Sequence, residues 1–262
     1  RERIKVLKSD RRGPSYARNL AARSTRAELL AFTDSDCIVA RDWLSQLLKG
    51  FKEYPDAVSC GGAQEIPQDA TNFERRVFSF LKKTGFIAEY MRKVTSASIL
   101  REVNHNPSCN VMYKRDAFLK EGGFLEGLWP GEDVEFDYRL KKQGYTLVFN
   151  PQAIVYHYRP QDTKSFCTMM RRYGASCGFL TRRYGFFRKL QFFPLGIAAI
   201  LIFLFFSIAF DFLPIFFVFL GAFIVISLLY VRFRLSLFAL GILGITSWNV
   251  GFLRGIFAKK VS

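Results

Sequence analysis

The chain has few of the residues that hold proteins together by cross-links or structural metals. Its 262 residues include two histidines and five cysteines, and none of the cysteines forms a C-x-x-C pair. A disulfide framework or a structural zinc site is therefore not expected, and a reducing cytosolic setting fits best. The sequence also lacks zinc-finger spacing and an aromatic-interleaved basic repeat, so nucleic acid is not an expected partner.

Acidic residues are scarce in one part of the chain in particular. From residue 192 onward the single acid is Asp211, whereas the same part has five basic residues. That part carries +4 of the net charge of +16, which leaves +12 for the first 191 residues. Such a surplus suits polyanionic partners: nucleotide phosphates, lipid phosphates or an anionic membrane leaflet.

Long apolar stretches occupy the acid-poor part. Residues 193–210 and 212–231 each approach the ~20 residues that cross a bilayer core, and their tight connection at Asp211 predicts a helical hairpin. Basic residues on both sides of the hairpin predict that these flanks face the cytosol, in a multi-pass protein of the cell membrane. A third apolar stretch, residues 235–253, either spans, re-enters or lies in the interface.

The rest of the chain alternates between short apolar runs, the first at residues 4–7, and helical patterns. This alternation predicts an α/β fold with a mostly parallel sheet flanked by helices, followed by carboxyl-terminal transmembrane helices. We expect an α/β domain at 1–160, a basic juxtamembrane helical segment at 161–191, and a transmembrane region at 192–262 with two or three helices. The basic segment either attracts membrane lipid or is only a topology signal.

Two clusters of acids are the candidate chemical groups. A short apolar run ends at Asp34-Ser35-Asp36, where two carboxylates one residue apart can hold Mg²⁺ or Mn²⁺ through oxygen ligands. Because alternate side chains of a strand point apart, either a turn at Ser35 brings both acids to the metal or Asp34 acts on the ribose or through water. We predict that Asp36 binds the metal directly.

The second cluster, Glu132 and Asp133, follows Gly131 about a hundred residues later. A carboxylate there can take the proton of an acceptor hydroxyl as a general base. Acids are also favoured at a helix N-terminus by the helix dipole, and both explanations can hold together. Trp129, just before this cluster, is a candidate wall of the acceptor side. Asp137 is expected in a surface or helix-to-helix ion pair.

Four motifs, in their order and spacing, resemble glycosyltransferase family 2, the inverting family with the GT-A fold. They are G-P-S-Y-A-R-N at residues 13–19, F-T-D-S-D at 32–36, G-G-F at 122–124 and G-E-D-V-E-F-D-Y-R-L at 131–140. The match runs from residue 1 to about 160, and the carboxyl-terminal hairpin is similar to that of membrane-anchored members. The resemblance implies a GT-A-like fold for the α/β domain.

The resemblance also implies roles for individual residues. It places the family's catalytic acid pair at Glu132 and Asp133, with Asp133 as the general base. It places Arg18 and Asn19 toward the nucleotide and Asn110 near the donor sugar.

His157 follows the last predicted strand. In several relatives a histidine near this place completes the metal site of Asp34 and Asp36, and a neutral imidazole suits Mn²⁺ better than Mg²⁺. The other reading of His157 is a hydrogen-bonded histidine at a strand end.

Two family features have no counterpart in the chain. The strand and carboxylate-bearing turn that hold the nucleotide base are missing, so we expect that an amino-terminal portion is absent. The Q-x-x-R-W motif of processive synthases is also missing, and the nearest stretch is M-M-R-R-Y at 169–173. Its absence favours an enzyme that makes a single transfer.

The sequence thus predicts a membrane-anchored, metal-dependent glycosyltransferase with a cytosolic catalytic domain. Its expected partners are a nucleotide-diphosphate sugar donor, a lipid-linked or cell-surface glycan acceptor, and membrane lipid. The alternative from another class is a non-catalytic membrane protein that binds nucleotide or lipid phosphate. A transporter is a weaker third option, because the apolar stretches carry no paired charges.

Overall fold

The computed structural model describes residues 4–9, 13–84, 99–210, 212–230 and 235–258. The described residues form two compact units that divide between Gln161 and Asp162. The predicted tight connection at Asp211 lies outside the described residues.

The first unit contains a six-stranded sheet whose strand order is β1-β5-β3-β6-β2, with β4 also paired to β6. The strands are β1 Leu29–Thr33, β2 Cys37–Val39, β3 Ala57–Glu65, β4 Arg101–Glu102, β5 Asn110–Lys114 and β6 Thr146–His157. The α/β class is confirmed, but the prediction of a mostly parallel sheet is wrong for the described strands. Among their pairings only β3–β6 is parallel. Alternation of strands and helices along a sequence indicates that helices pack on a sheet. It does not determine whether neighbouring strands are parallel or antiparallel.

The sheet must curve strongly, because its two edge strands are consecutive in the chain. Four strand spacings separate β1 from β2 in the sheet order, or ~19 Å if the sheet were flat. The chain from Thr33 to Cys37 can reach at most ~14 Å. A register shift of β3 against β6, between Gly62 and Ala63, supplies one bend. The curvature therefore gathers the ends of β1, β2 and β6 around the turn at 34–36.

Helices flank this sheet, as the alternation of apolar runs and helical patterns predicts. They are α1 Pro14–Arg23, α2 Trp43–Glu53, α3 Asn72–Thr84, α4 Arg115–Lys120 and α5 Glu132–Lys142. The strand predicted at residues 4–7 is wrong, because these residues have no regular secondary structure. Ile4 and Val6 are 81% and 82% exposed, so no neighbouring strand within the described residues covers them.

An aromatic cluster joins the two segments that carry the acids. Phe32 lies on β1 and Phe136 on α5, and between them Tyr113, Phe118 and Phe124 are buried. Their ring centroids lie 4.9–6.2 Å apart, mostly in edge-to-face arrangements. Such pairs each add about 0.5–1.5 kcal/mol beyond the area they bury. The acids two to three residues away are thus attached to a well-packed core.

The second unit is helical: α6 Thr163–Tyr184, a short 3₁₀ helix Lys189–Phe192, α7 Phe193–Ala209, α8 Leu213–Tyr230 and α9 Leu235–Phe257. Two helical stretches, Lys189–Ala209 and Leu235–Phe257, are long and apolar enough to cross a membrane, whereas Leu213–Ser227 is a shorter apolar stretch. Helix α9 packs along α6 through glycines on both helices. A Cβ atom at Gly174 or Gly251 would collide with the backbone of the other helix, so these glycines permit the close approach.

Candidate active site

The turn after β1 carries both candidate metal acids and has the form that the sequence predicts. The backbone N–H of Cys37 donates to the carbonyl oxygen of Asp34 over 3.1 Å, which closes a turn centred on Ser35 and Asp36. The N–H of Tyr158 donates to the carbonyl oxygen of Asp36, also over 3.1 Å, and fixes the turn to the end of β6. The two carboxylates of the turn have different partners.

Arg18 joins the first acid of this turn to the second acidic cluster. Its Nη2 donates to Oδ1 of Asp34 and its Nη1 to Oε1 of Glu132, each over 2.5 Å. Helix α1, which begins with Pro14 at its first turn, places this guanidinium between acids that are 98 residues apart in the chain. The Arg18 side chain is only 13% exposed and Glu132 3%, so both charges are largely removed from water. The structure thus brings Arg18, Asp34 and Glu132 together, whereas the predicted role of Arg18 toward the nucleotide stays a prediction.

Glu132 and Asp133 occupy the first turn of α5, which begins after Gly131 in a left-handed conformation at φ 93°. The Oγ of Ser108 donates to Oε1 of Glu132 over 3.0 Å, and the N–H of Ser108 donates to Oδ2 of Asp133 over 2.9 Å. The Oδ1 of Asp133 accepts the N–H of Val134 over 2.8 Å. Asp133 is half-buried, and these bonds hold its carboxylate in one orientation.

The fold opposes the negative charge of Glu132. Burial, with the charge of Asp133 as the next contribution, raises the pKa of Glu132 to about 7. The positive charge of Arg18 and the hydrogen bond from Ser108 act in the opposite direction, but they do not cancel the burial. Glu132 therefore gains or loses its proton near neutral pH.

Asp36 faces His157, the last residue of β6. Nε2 of His157 lies 3.3 Å from Oδ2 of Asp36. The hydrogen bond from His157 lowers the pKa of Asp36, whereas burial, and then the charge of Arg159, lower the pKa of His157. Both directions favour a carboxylate beside a neutral imidazole.

Asp36 and His157 offer an oxygen and a nitrogen atom, and this donor set fits a divalent cation. Asp36 and His157 can bind one ion, and the Asp36 side chain is 57% exposed and therefore open to it. Asp34 is paired with Arg18. Within the described residues, the group of three possible ligands whose donor atoms lie within 4.8 Å of one another consists of Cys37, Cys109 and His157, not of the predicted Asp34, Asp36 and His157.

The two predicted asparagines are engaged inside the protein. Asn19 is buried, donates to the carbonyl oxygen of Phe124 over 2.8 Å and accepts the N–H of Phe124 over 2.9 Å. Asn110 is fully buried, and its amide donates to the carbonyl oxygens of Ala63 and Ala153 over 2.8 Å each. These bonds give both side chains a role in holding the backbone around the site. The predicted donor-binding roles of Asn19 and Asn110 stay predictions.

Trp129, the predicted acceptor-side residue, lies just before the acid pair. Trp129 is half-buried and directly precedes Pro130, Gly131 and the acid pair, with a cis peptide bond to Pro130. Its role toward an acceptor stays a prediction.

Sequence reasoning missed the buried network that positions Ser108. Asp137 is fully buried, and its Oδ2 accepts the N–H of Asn106 over 2.7 Å and lies 2.9 Å from Nδ1 of His105. Its Oδ1 accepts a hydrogen bond from Tyr113 over 2.9 Å. The expected surface or helix-to-helix ion pair of Asp137 is therefore wrong. The sequence did contain a signal for this network. Asp137 follows Asp133 by four residues, and that spacing puts both acids on one face of α5.

The amino-terminal half of the chain, which carries Arg18, Asp34 and Asp36, matches a known protein family. Residues 1–122 match the family model described as glycosyl transferase family 2. The chain carries a family 2 glycosyltransferase domain. The match includes Arg18, Asp34 and Asp36 and stops before α5, so the roles of Glu132 and Asp133 do not rest on it.

Curated proteins similar to this chain carry glycosyltransferase names. A pre-mycofactocin glycosyltransferase of Mycobacterium tuberculosis is 27% identical over 182 residues, which cover 66% of this chain and 36% of that protein. A dolichyl N-acetyl-alpha-D-glucosaminyl phosphate 3-beta-D-2,3-diacetamido-2,3-dideoxy-beta-D-glucuronosyltransferase of Methanococcus voltae is 25% identical over 200 residues, covering 74% of this chain and 60% of that protein. The chain thus spans between about a third and three fifths of the length of these two relatives.

A solved structure shows the same fold. The mannosyltransferase of Pyrobaculum calidifontis, in complex with GDP-Man and Mn²⁺, is similar with a TM-score of 0.59 at 18% identity. The similarity covers 95% of this chain and 68% of that chain. The family 2 domain therefore has the GT-A fold, a mixed sheet flanked by helices.

The raised pKa of Glu132 predicts how stability of the family 2 domain depends on pH. The folded state binds the Glu132 proton more tightly than the unfolded state, so this residue costs stability as pH rises from 4.5 to about 7. The wild-type protein should lose up to about 3 kcal/mol relative to Glu132→Gln over this range. Thermal and denaturant unfolding in detergent at pH 5 and pH 8 measure the difference.

Glu53→Gln is the matched control, since Glu53 lies exposed at the end of α2. It should keep the pH dependence of the wild type. Equal pH dependence of wild type and Glu132→Gln would show that Arg18 compensates the buried charge completely.

Proposed function

We propose that this chain is a membrane-anchored glycosyltransferase. It transfers a sugar from a nucleotide-diphosphate sugar, with inversion, to a lipid-linked or cell-surface glycan acceptor at the cytosolic face. The observation that carries the proposal is the Arg18 bridge. It connects Asp34 of the turn after β1 with Glu132 of the acid pair, so that two acidic segments far apart in the chain converge at one place.

Asp133 is the general base of this proposal. Its two carboxylate oxygens each accept one backbone N–H, from Ser108 and Val134, and each oxygen keeps a further lone pair. The acceptor hydroxyl oxygen attacks the anomeric carbon and forms the new glycosidic bond. The bond from that carbon to the diphosphate oxygen breaks, the diphosphate leaves with its electron pair, and the hydroxyl proton passes to Asp133.

Arg18 and the metal residues act on the donor side. Arg18 offsets one unit of the negative charge of Asp34 and Glu132, which reduces the repulsion of an anionic donor. Asp36 and His157 would hold a divalent cation, and that cation supplies charge neutralisation for the leaving diphosphate. Mn²⁺ is the proposed ion because an imidazole is part of the donor set.

The helical unit is the proposed membrane anchor. Helices α7 and α8 are apolar along their length and are the two helices of the proposed hairpin. Helix α9 packs on α6, which carries Arg171, Arg172, Arg182 and Arg183. Because arginines are costly in a bilayer core, we propose that the α6–α9 pair lies in the membrane interface. Relatives from Methanococcus voltae and Haloferax volcanii whose names specify dolichyl phosphate compounds support a lipid-linked acceptor.

Turnover of the whole chain tests the proposal. The full-length protein in detergent or liposomes is incubated with a panel of UDP-, GDP- and dTDP-sugars, with Mn²⁺ or Mg²⁺ and with or without a polyprenyl phosphate. We expect acceptor-dependent release of nucleoside diphosphate from one donor class, and a product whose anomeric configuration is inverted by NMR. No release from any donor with either ion, from protein that is folded by circular dichroism, would contradict the proposal.

A further inference from the structure

Two thiols and an imidazole converge beside the proposed metal residues. The Sγ atoms of Cys37 and Cys109 and a ring nitrogen of His157 all lie within 4.8 Å of one another. Cys37 begins β2 and is paired in register with His157 of β6, so their side chains lie on one face of the sheet. Cys109 comes from the residue before β5. Three separate segments therefore supply this cluster, which sequence spacing alone could not show.

The chemistry of the cluster differs from that of a Mn²⁺ or Mg²⁺ site. Thiolates are soft ligands that select Zn²⁺ over the hard cations. Zn²⁺ binds sulfur at about 2.3 Å and imidazole nitrogen at about 2.0 Å, which puts tetrahedral ligands about 3.5–3.8 Å apart. The donor atoms here lie within 4.8 Å of one another, so they need to contract by about 1.3 Å at most to reach that spacing.

A fourth ligand lies next to the cluster. Oδ2 of Asp36 is 3.3 Å from Nε2 of His157, and Oδ1 of Asp36 is 3.9 Å from Sγ of Cys37. Cys37 is only half-buried and stands beside this charged group, so it is not a cysteine that merely fills a hydrophobic core. Two thiols, one imidazole and one carboxylate are ligands that a four-coordinate zinc ion takes, and Asp36 has to move closer to the other three groups to complete the set.

We propose that Cys37, Cys109, His157 and Asp36 form a site for Zn²⁺ that overlaps the site of the hard cation. The site uses His157 and Asp36, so occupation by Zn²⁺ excludes Mn²⁺ from them. Zinc would then inhibit sugar transfer, a consequence that rests on the proposed function. The absence of C-x-x-C spacing argues against a structural zinc site, and a zinc site assembled from three strand ends beside exposed Asp36 is consistent with a regulatory one.

Cobalt(II) is the probe for the site, because it replaces zinc and reports thiolate ligands by charge-transfer absorption in the near ultraviolet. The full-length protein in detergent, kept reduced with a phosphine, is titrated with Co²⁺. We expect one bound ion with thiolate charge transfer that Zn²⁺ abolishes stoichiometrically. Cys37→Ser should lose about half of the charge-transfer intensity, because one of two thiolate ligands is removed.

Cys167→Ser is the matched control, since Cys167 is also half-buried but lies on α6 outside the cluster. It should leave the cobalt spectrum unchanged. Cys109→Ser should act like Cys37→Ser. If Cys109→Ser fails to fold because Cys109 is buried, Cys37→Ser decides alone. Absence of thiolate charge transfer, or an unchanged spectrum in Cys37→Ser, would overturn the site.

A second readout separates the zinc site from the proposed function. The Zn²⁺ concentration that halves Mn²⁺-supported turnover, relative to the zinc-free rate of each protein, should rise at least about tenfold in Cys37→Ser. Equal inhibition of wild type and variant would overturn the overlap of the two sites. If the chain shows no transfer with any donor, the proposed function fails, and the cobalt spectra still decide whether the site binds zinc.

Discussion

Asp133→Asn is expected to lower sugar transfer by about 10²–10⁴-fold while leaving donor binding nearly unchanged, because removal of a positioned general base costs that much in rate. The side chain keeps its size and its place at the start of α5. An amide can accept one of the two N–H groups of Ser108 and Val134 but not both, so a small loss of stability accompanies the change. Initial rates and titration with a non-transferable donor analogue measure the two effects.

Glu126→Gln controls for this change, because Glu126 lies in the loop before α5 and its side chain is 43% exposed. It should transfer sugar at nearly the wild-type rate. A rate for folded Asp133→Asn within about tenfold of wild type would remove Asp133 from the role of base. If donor binding and every other function persisted in Asp133→Asn, that result would favour the alternative function. The chain would then be a membrane protein that binds nucleotide or lipid phosphate without catalysis.

The sequence predicted the parts of the fold that depend on local pattern. Helices are predictable from the sequence because Pro, Gly and the three-to-four spacing of apolar residues are local signals, and helices α1, α2 and α5 depend on such signals. Strand direction was not predictable in this way. Strand β5 runs antiparallel to both β1 and β3, and only long-range pairing decides that.

The same division holds in the site. The acids at 34, 36, 132 and 133 stand out in the sequence, and the structure joins Asp34 to Glu132 through Arg18. The sequence could not show that Asn110 holds Ala63 and Ala153 by hydrogen bonds. It also could not show that Cys109 comes within reach of Cys37. Both facts depend on which strands lie side by side in the sheet, and only long-range pairing decides that.

Asp36→Asn is expected to reduce transfer by about 10²-fold or more at a fixed Mn²⁺ concentration, because a bound cation contributes several kcal/mol to stabilising the leaving diphosphate. An amide lacks the negative charge that attracts the ion, while His157 remains in place. The Mn²⁺ concentration for half-maximal rate should also rise. Rates over a range of Mn²⁺ concentrations measure this, and electron paramagnetic resonance of free Mn²⁺ measures binding without turnover.

Asp116→Asn provides the comparison that separates a local effect from a change in overall charge. Asp116 lies on α4, and its side chain is fully exposed at 101%. Asp116→Asn removes one negative charge from the same compact unit as Asp36→Asn does. The Mn²⁺ dependence of its rate should therefore equal that of wild type. If Asp36→Asn instead bound Mn²⁺ as tightly as Asp116→Asn, then Asp36 and His157 would not be the metal ligands. Any cation that supports transfer would then have to bind through other groups, such as Asp34 after separation from Arg18.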